Sequence, residues 1–77
     1  MEISKKIKAL LLETNKKQSD IMEILGMKSK QSLSNKFTNE RWSAEDLVKI
    51  ADFCGCKLAF VLPNGERITI DADNGLE

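Results

Sequence analysis

Apolar residues change their rhythm along this chain, and each rhythm names an element. Ile3, Ile7, Leu10, Leu11 and Thr14 recur at helical spacing and make one face of a first helix, with Lys5, Lys6 and Lys8 off it. Leu12 is stranded away from that face. After the polar break TNKK, Ile21, Ile24 and Leu25 form the inner face of a second helix opening near Gln18, and Gly26 supplies the left-handed residue that ends it. A helix this short is unstable alone and exists by packing. Ser29 is placed to cap a third helix that runs to Phe37 or Thr38, because its hydroxyl can accept from the N–H groups of the first turn. That third helix gives a core only Leu33 and Phe37.

The stretch NERW breaks the pattern, and SAED opens a fourth helix in which Ser43 and Asp46 have the spacing of a capping box with Asp in place of Glu. It closes at Gly55. Its apolar residues cover more than half of its circumference and leave Glu45, Lys49 and Asp52 as a narrow wet stripe, so it is expected to pack on two sides. From Cys56 onward the period becomes two, and CKLAFVLPNGERITID reads as a β-hairpin. A type I turn at Pro63-Asn64 with Gly65 in the left-handed position pairs Leu62 with Glu66, Phe60 with Ile68, Leu58 with Ile70 and Lys57 with Asp71. Residues 72–77 carry no pattern and are expected to fray.

These elements predict a mainly α fold: four to five short helices in a bundle over 1–55, a C-terminal hairpin over 56–71, and a single domain over 1–77. A lone two-stranded hairpin is marginal in water, so it either covers the fourth helix or pairs its edge with another chain.

Composition narrows the function. At 77 residues there is room for one domain, and 42% apolar with 31% charged residues is the balance of a soluble globular protein. No apolar run approaches the roughly 20 residues that span a bilayer, and neither a signal peptide nor a membrane partner is expected. Cys54 and Cys56 are the only cysteines and the chain has no His, so the residues assemble neither a tetrahedral metal site nor a disulfide framework. Both read as small apolar residues of a reducing, cytoplasmic compartment. Ser29, Ser32 and Ser34 have no organised base nearby, which argues against nucleophilic catalysis and against an enzyme.

The formal net charge is zero, yet residues 1–42 hold nine Lys/Arg against five Asp/Glu, and residues 43–77 hold three against seven. The basic N-terminal half is the side expected to face an anionic partner. On a wheel centred on Leu33 and Phe37, Gln31 and Asn35 point away from the core one turn apart, flanked by Ser32, Ser34 and Thr38 and bordered by Lys30 and Lys36. Amides in that position suit base recognition, because Asn or Gln can donate to and accept from the major-groove edge of adenine at once. A solvated face of a small bundle is the plainer reading. Trp42 has two readings: stacking on a sugar or base beside Arg41, or packing ahead of Ser43 as a hydrophobic staple.

Two short helices joined by a Gly-containing turn, the second polar outside, form a helix-turn-helix arrangement. On KQSDIMEILGMKSKQSLSNKF followed by SAEDLVKIADFCGC, the chain from Lys5 to Cys54 resembles the Cro and lambda-repressor-like (xenobiotic-response-element) family of DNA-binding domains. The resemblance implies that Lys30, Gln31, Ser32 and Asn35 face bases. It also implies that Lys17 and Gln18, with Lys28, Ser29, Lys36, Thr38 and Asn39, lie near phosphates. GMKS puts one residue more in the turn than the commonest family pattern, which leaves the base-facing register open by one, and Asn39 or Glu40 stands where many members end the third helix with glycine.

The function so implied is a sequence-specific double-stranded DNA-binding regulator of a bacterial or phage setting, a repressor acting by operator occupancy. It would need no cofactor and no small-molecule ligand, and would form a homodimer through the hairpin and the Phe53/Leu12 region. An antitoxin-type module that binds a protein partner and autoregulates on DNA is the alternative, and a purely protein-interaction bundle is a third.

Overall fold

The computed structural model describes residues 2–70. Four helices, α1 (Ile3–Glu13), α2 (Gln18–Ile24), α3 (Lys30–Asn39) and α4 (Ala44–Phe53), precede two strands, β1 (Leu58–Val61) and β2 (Arg67–Ile70), which pair antiparallel. The fold is mainly α with a C-terminal hairpin. The expected Lys57–Asp71 pair and the tail over 72–77 lie outside the described residues. No helix among them is long and apolar enough to cross a membrane.

One apolar cluster holds the helices together: Ile7 and Leu11 from α1, Ile21 from α2, Leu33 from α3, and Ile50 with Cys54 from the end of α4. Ile21 and Ile50 are fully buried, so the shortest helix is fixed at the centre of the core. Gly26, in the left-handed conformation at φ 69°, turns the chain out of α2. Its N–H donates to the Glu23 carbonyl at 3.1 Å and that of Met27 to the Met22 carbonyl at 2.9 Å, which satisfies carbonyls that the helix end leaves open.

Helix α3 ends one residue later than its sequence pattern indicated, and it ends on Glu40, a non-glycine residue held at φ 55°. Left-handed backbone costs such a residue about 1–2 kcal/mol. What offsets it lies across the molecule: Glu40 Oε1 accepts from the Ser4 backbone N–H at 3.1 Å. Glu2, at the N-terminus of α1, makes no side-chain cap, so a carboxylate from the end of α3 caps α1 instead.

Ser4 carries more than that bond. Its hydroxyl, in a residue only 6% exposed, donates to the Phe37 carbonyl at 2.7 Å and accepts from Trp42 Nε1 at 3.0 Å. The Trp42 ring meets Phe37 edge to face, with centroids 4.9 Å apart. Trp42 therefore faces inward, as one of its two readings had it, but it is tied to α1 and α3.

At the far end of α4 the hairpin takes the expected register, Leu58 opposite Ile70 and Phe60 opposite Ile68. Leu62 N–H donates to the Glu66 carbonyl at 2.8 Å, and Gly65 sits at φ 91° in the turn. Its base reaches the bundle: Leu58 and Ile70 are half-buried beside Val48 and Ala51 of α4. Phe60 and Ile68 remain 62% and 56% exposed, so the hairpin leaves its apolar face largely uncovered. Leu12, 83% exposed, is indeed off the α1 face, whereas Phe53 is half-buried with Lys16 Nζ 5.0 Å from its ring centre.

Replacing Ser4 by Ala removes one hydroxyl and strands both the Trp42 N–H and the Phe37 carbonyl. We expect a destabilisation of about 1–3 kcal/mol, read as a lower urea midpoint; an unchanged midpoint would show that the hydroxyl is dispensable.

Candidate nucleic-acid interface

Helix α3 begins where the sequence says it should. Ser29 Oγ accepts from the Ser32 N–H at 3.1 Å and lies 3.0 Å from Ser32 Oγ. Ser29 and Ser32, one expected at phosphate and the other at bases, are thus hydrogen-bonded to each other at the helix start.

One turn further, Gln31 Nε2 donates to Asn35 Oδ1 at 3.2 Å, and both residues are exposed. The bond steadies two side chains that would otherwise sample many rotamers. It leaves the Gln31 side-chain oxygen, an acceptor, and the Asn35 amide hydrogens, donors, without a hydrogen-bond partner among the described residues. A base edge presents the complementary pair.

The polar flanks of α3 differ. On one side Lys36, expected to reach out to phosphate, is folded back: its ammonium lies 2.6 Å from Asp46 Oδ2 and donates to the Arg41 carbonyl at 3.0 Å. It also sits 5.6 Å from the Trp42 ring centre. A phosphate contact by Lys36 would have to break this ion pair, in which both side chains are mostly buried, so the arm drawn from the helical wheel is a structural tie. Helix geometry alone places Lys36 on that flank; only the approach of α4 supplies Asp46.

Partial burial pushes the Asp46 carboxyl up, but the hydrogen bonds from Lys36 and Ser43 and the adjacent Lys36 charge outweigh it and hold the group below its ordinary value of 3.8. The same carboxylate accepts from the Ser43 N–H at 3.1 Å, completing the capping box of α4.

The opposite flank is open. Lys30, Ser34 and Thr38, spaced by four, line one wall of a groove of about 380 Å³; Gln18 and Ser19 of α2 and Lys8 of α1 face them. Its floor is apolar, made by Met22, Leu33 and Phe37. Lys8 Nζ stands 5.4 Å from the Phe37 ring centre. Lys8 and Ser19 gave no signal in the sequence, because nothing local tells that α1 and α2 converge on this side of α3.

The other expected positions are dispersed around this surface. Lys17 and Lys28 are exposed and in no ion pair among the described residues, Lys17 N–H donating to Asp20 Oδ2 at 3.1 Å. Asn39 is exposed at the last turn of α3. Gln18 and Thr38 share the groove, and Lys30 borders it beside Gln31.

Comparison with known proteins finds no family model, curated protein or solved structure that matches the chain.

A carboxyl held low in the folded state contributes stability above its ordinary value of 3.8 and loses it as pH falls through the lower folded value. We expect Asp46→Asn to be less stable at neutral pH and to show a shallower acid limb. Denaturant midpoints measured from pH 7 downward check this, and a variant whose acid limb runs parallel to the wild type's would remove Asp46 as the source.

Proposed function

We propose that this chain is a sequence-specific double-stranded DNA-binding regulator that places α3 in the major groove and represses by occupying an operator. The reading rests first on the exposed Gln31–Asn35 amide pair, carried on a helix whose inner side is Leu33 and Phe37. The left-handed Gly26 in the five-residue connection between α2 and α3 favours the same reading, with a turn one residue longer than the commonest family pattern. The resemblance of this segment to the Cro and lambda-repressor-like family supports the same reading. The excess of Lys and Arg in the first 42 residues favours an anionic partner on this side.

One helix reads few bases, and two half-sites one helical turn apart, about 34 Å, multiply specificity. We propose a homodimer formed through the exposed apolar face of the hairpin, Phe60 and Ile68, with Leu12 as further unclaimed apolar surface. The same uncovered hairpin favours a second reading, an antitoxin-type module whose hairpin binds a different protein while α3 binds DNA.

Selection of bound duplexes from a random library tests the first reading; a two-fold symmetric consensus is the expected result. Gln31→Ala and Asn35→Ala should each weaken the selected site by about 1–3 kcal/mol and relax its sequence preference, whereas Lys17→Ala should weaken all duplexes alike. An unaltered preference in both amide variants would remove α3 as the reading helix.

Light scattering at micromolar concentration should give twice the mass of one chain, and Phe60→Ser with Ile68→Ser should return it to one. A wild-type mass of a single chain would sink the homodimer and leave the hairpin to a heterologous partner.

A further inference from the structure

The polar side chains of α3 fall into two groups. Ser29 with Ser32 at the helix start, and Lys36 with Asp46 of α4, are bonded within the chain. On the side facing α1 and α2, Lys30, Ser34 and Thr38 have no side-chain hydrogen bond or ion pair among the described residues, and neither have Lys8, Gln18 and Ser19 across the groove. The groove between them therefore gathers two ammonium groups and four hydroxyl or amide side chains, with no Asp or Glu in its lining. Two ammonium groups from separate helices lining one groove that holds no carboxylate favour an anion there.

We infer that this groove seats a backbone phosphate of the bound DNA, held between Lys8 of α1 and Lys30 of α3, and that the open flank of α3, not the Lys36 flank, faces that strand. The inference rests on the DNA-binding reading above. A helix about 10–12 Å across fills a major groove about 12 Å wide, so its flanks come against the phosphate walls. The Lys36 flank meets its wall with its charge already paired. The Lys30 flank meets its wall with charge and donors unpaired, and the apolar floor of Met22, Leu33 and Phe37 excludes water beneath the anion. Lys8 is held for this by the Phe37 ring, which keeps its ammonium over the groove. Lys8, Ser19 and Ser34 thereby join the DNA-contacting set, and Lys36 and Ser32 leave it.

The test is the salt dependence of binding to a duplex of fixed sequence, with thermal melting of each variant alongside. Removing one cation that neutralises a phosphate should lower the slope of log K against log salt by about 0.9. Lys8→Ala is expected to lower it by that amount, and Lys36→Ala to leave it unchanged while lowering the melting temperature. A matched pair on exposed positions gives an independent readout should Lys8→Ala fail to fold: Ser34→Asp should weaken binding far more than Ser32→Asp. Wild-type binding with a normal salt slope, but with Lys8→Ala equal to wild type or Ser34→Asp equal to Ser32→Asp, would overturn the inference and leave the DNA reading standing. A wild type that binds no duplex at low salt would overturn the DNA reading itself, and this seat with it.

Discussion

Helix α3 depends on the Ser4 hydroxyl. A helix that buries only Leu33 fully cannot be held by apolar contact alone, and its C-terminal end is instead held by the bonds that run from Ser4 to the Phe37 carbonyl, the Trp42 indole and the Glu40 carboxylate. Because the hydroxyl is buried, its two bonds, to the Phe37 carbonyl and the Trp42 indole, are made where water competes poorly, and an unmade partner would carry the cost of desolvation. The Lys36–Asp46 pair continues the same tie to the start of α4. With its far end fixed in this way, α3 is free to keep Gln31 and Asn35 outside.

That division of labour explains the composition of the helix. Ser29 with Ser32 at the helix start and Lys36 with Asp46 of α4 are bonded internally and serve position; residues facing α1 and α2 keep charge and hydroxyls without a partner among the described residues, around an apolar floor. The amide pair sits between the two flanks, each side chain steadying the other. In the proposed function the pair would meet bases and the open flank would meet phosphate. Rigid placement matters for both, since rotamer freedom lost on binding subtracts from affinity.

The hairpin is the least balanced part of the molecule. Its base leans on α4 through Leu58 and Ile70, while Phe60 and Ile68 face solvent and, among the described residues, the two strands pair only with each other. Isolated two-stranded sheets are marginal, and exposed edges are templates for further pairing. Of the two roles open to it, cover for α4 is fulfilled only at the base, and the uncovered remainder is the surface that the proposed homodimer and the antitoxin reading both use.

The sequence by itself determined the elements, because their signals are local. Helical period set the inner faces of α1, α2 and α4, Ser29 and the Ser43–Asp46 box set two helix starts, Gly26 and Gly55 set two ends, and period two with Pro63-Asn64-Gly65 set the hairpin register. The outward position of Gln31 and Asn35 was legible for the same reason, since a wheel needs only Leu33 and Phe37 as its centre. Tertiary structure decided what joins residues far apart in the chain. Ser4 beneath Trp42, Glu40 as the cap of α1, Asp46 drawing in Lys36, and Lys8 facing Lys30 each depend on which helix passes beside which. A short polar residue such as Ser4 has no periodic signature of burial, and a lysine reads alike whether a carboxylate or open solvent awaits it. Which flank of α3 is closed and which is open therefore emerges only when α1, α2 and α4 are packed around it.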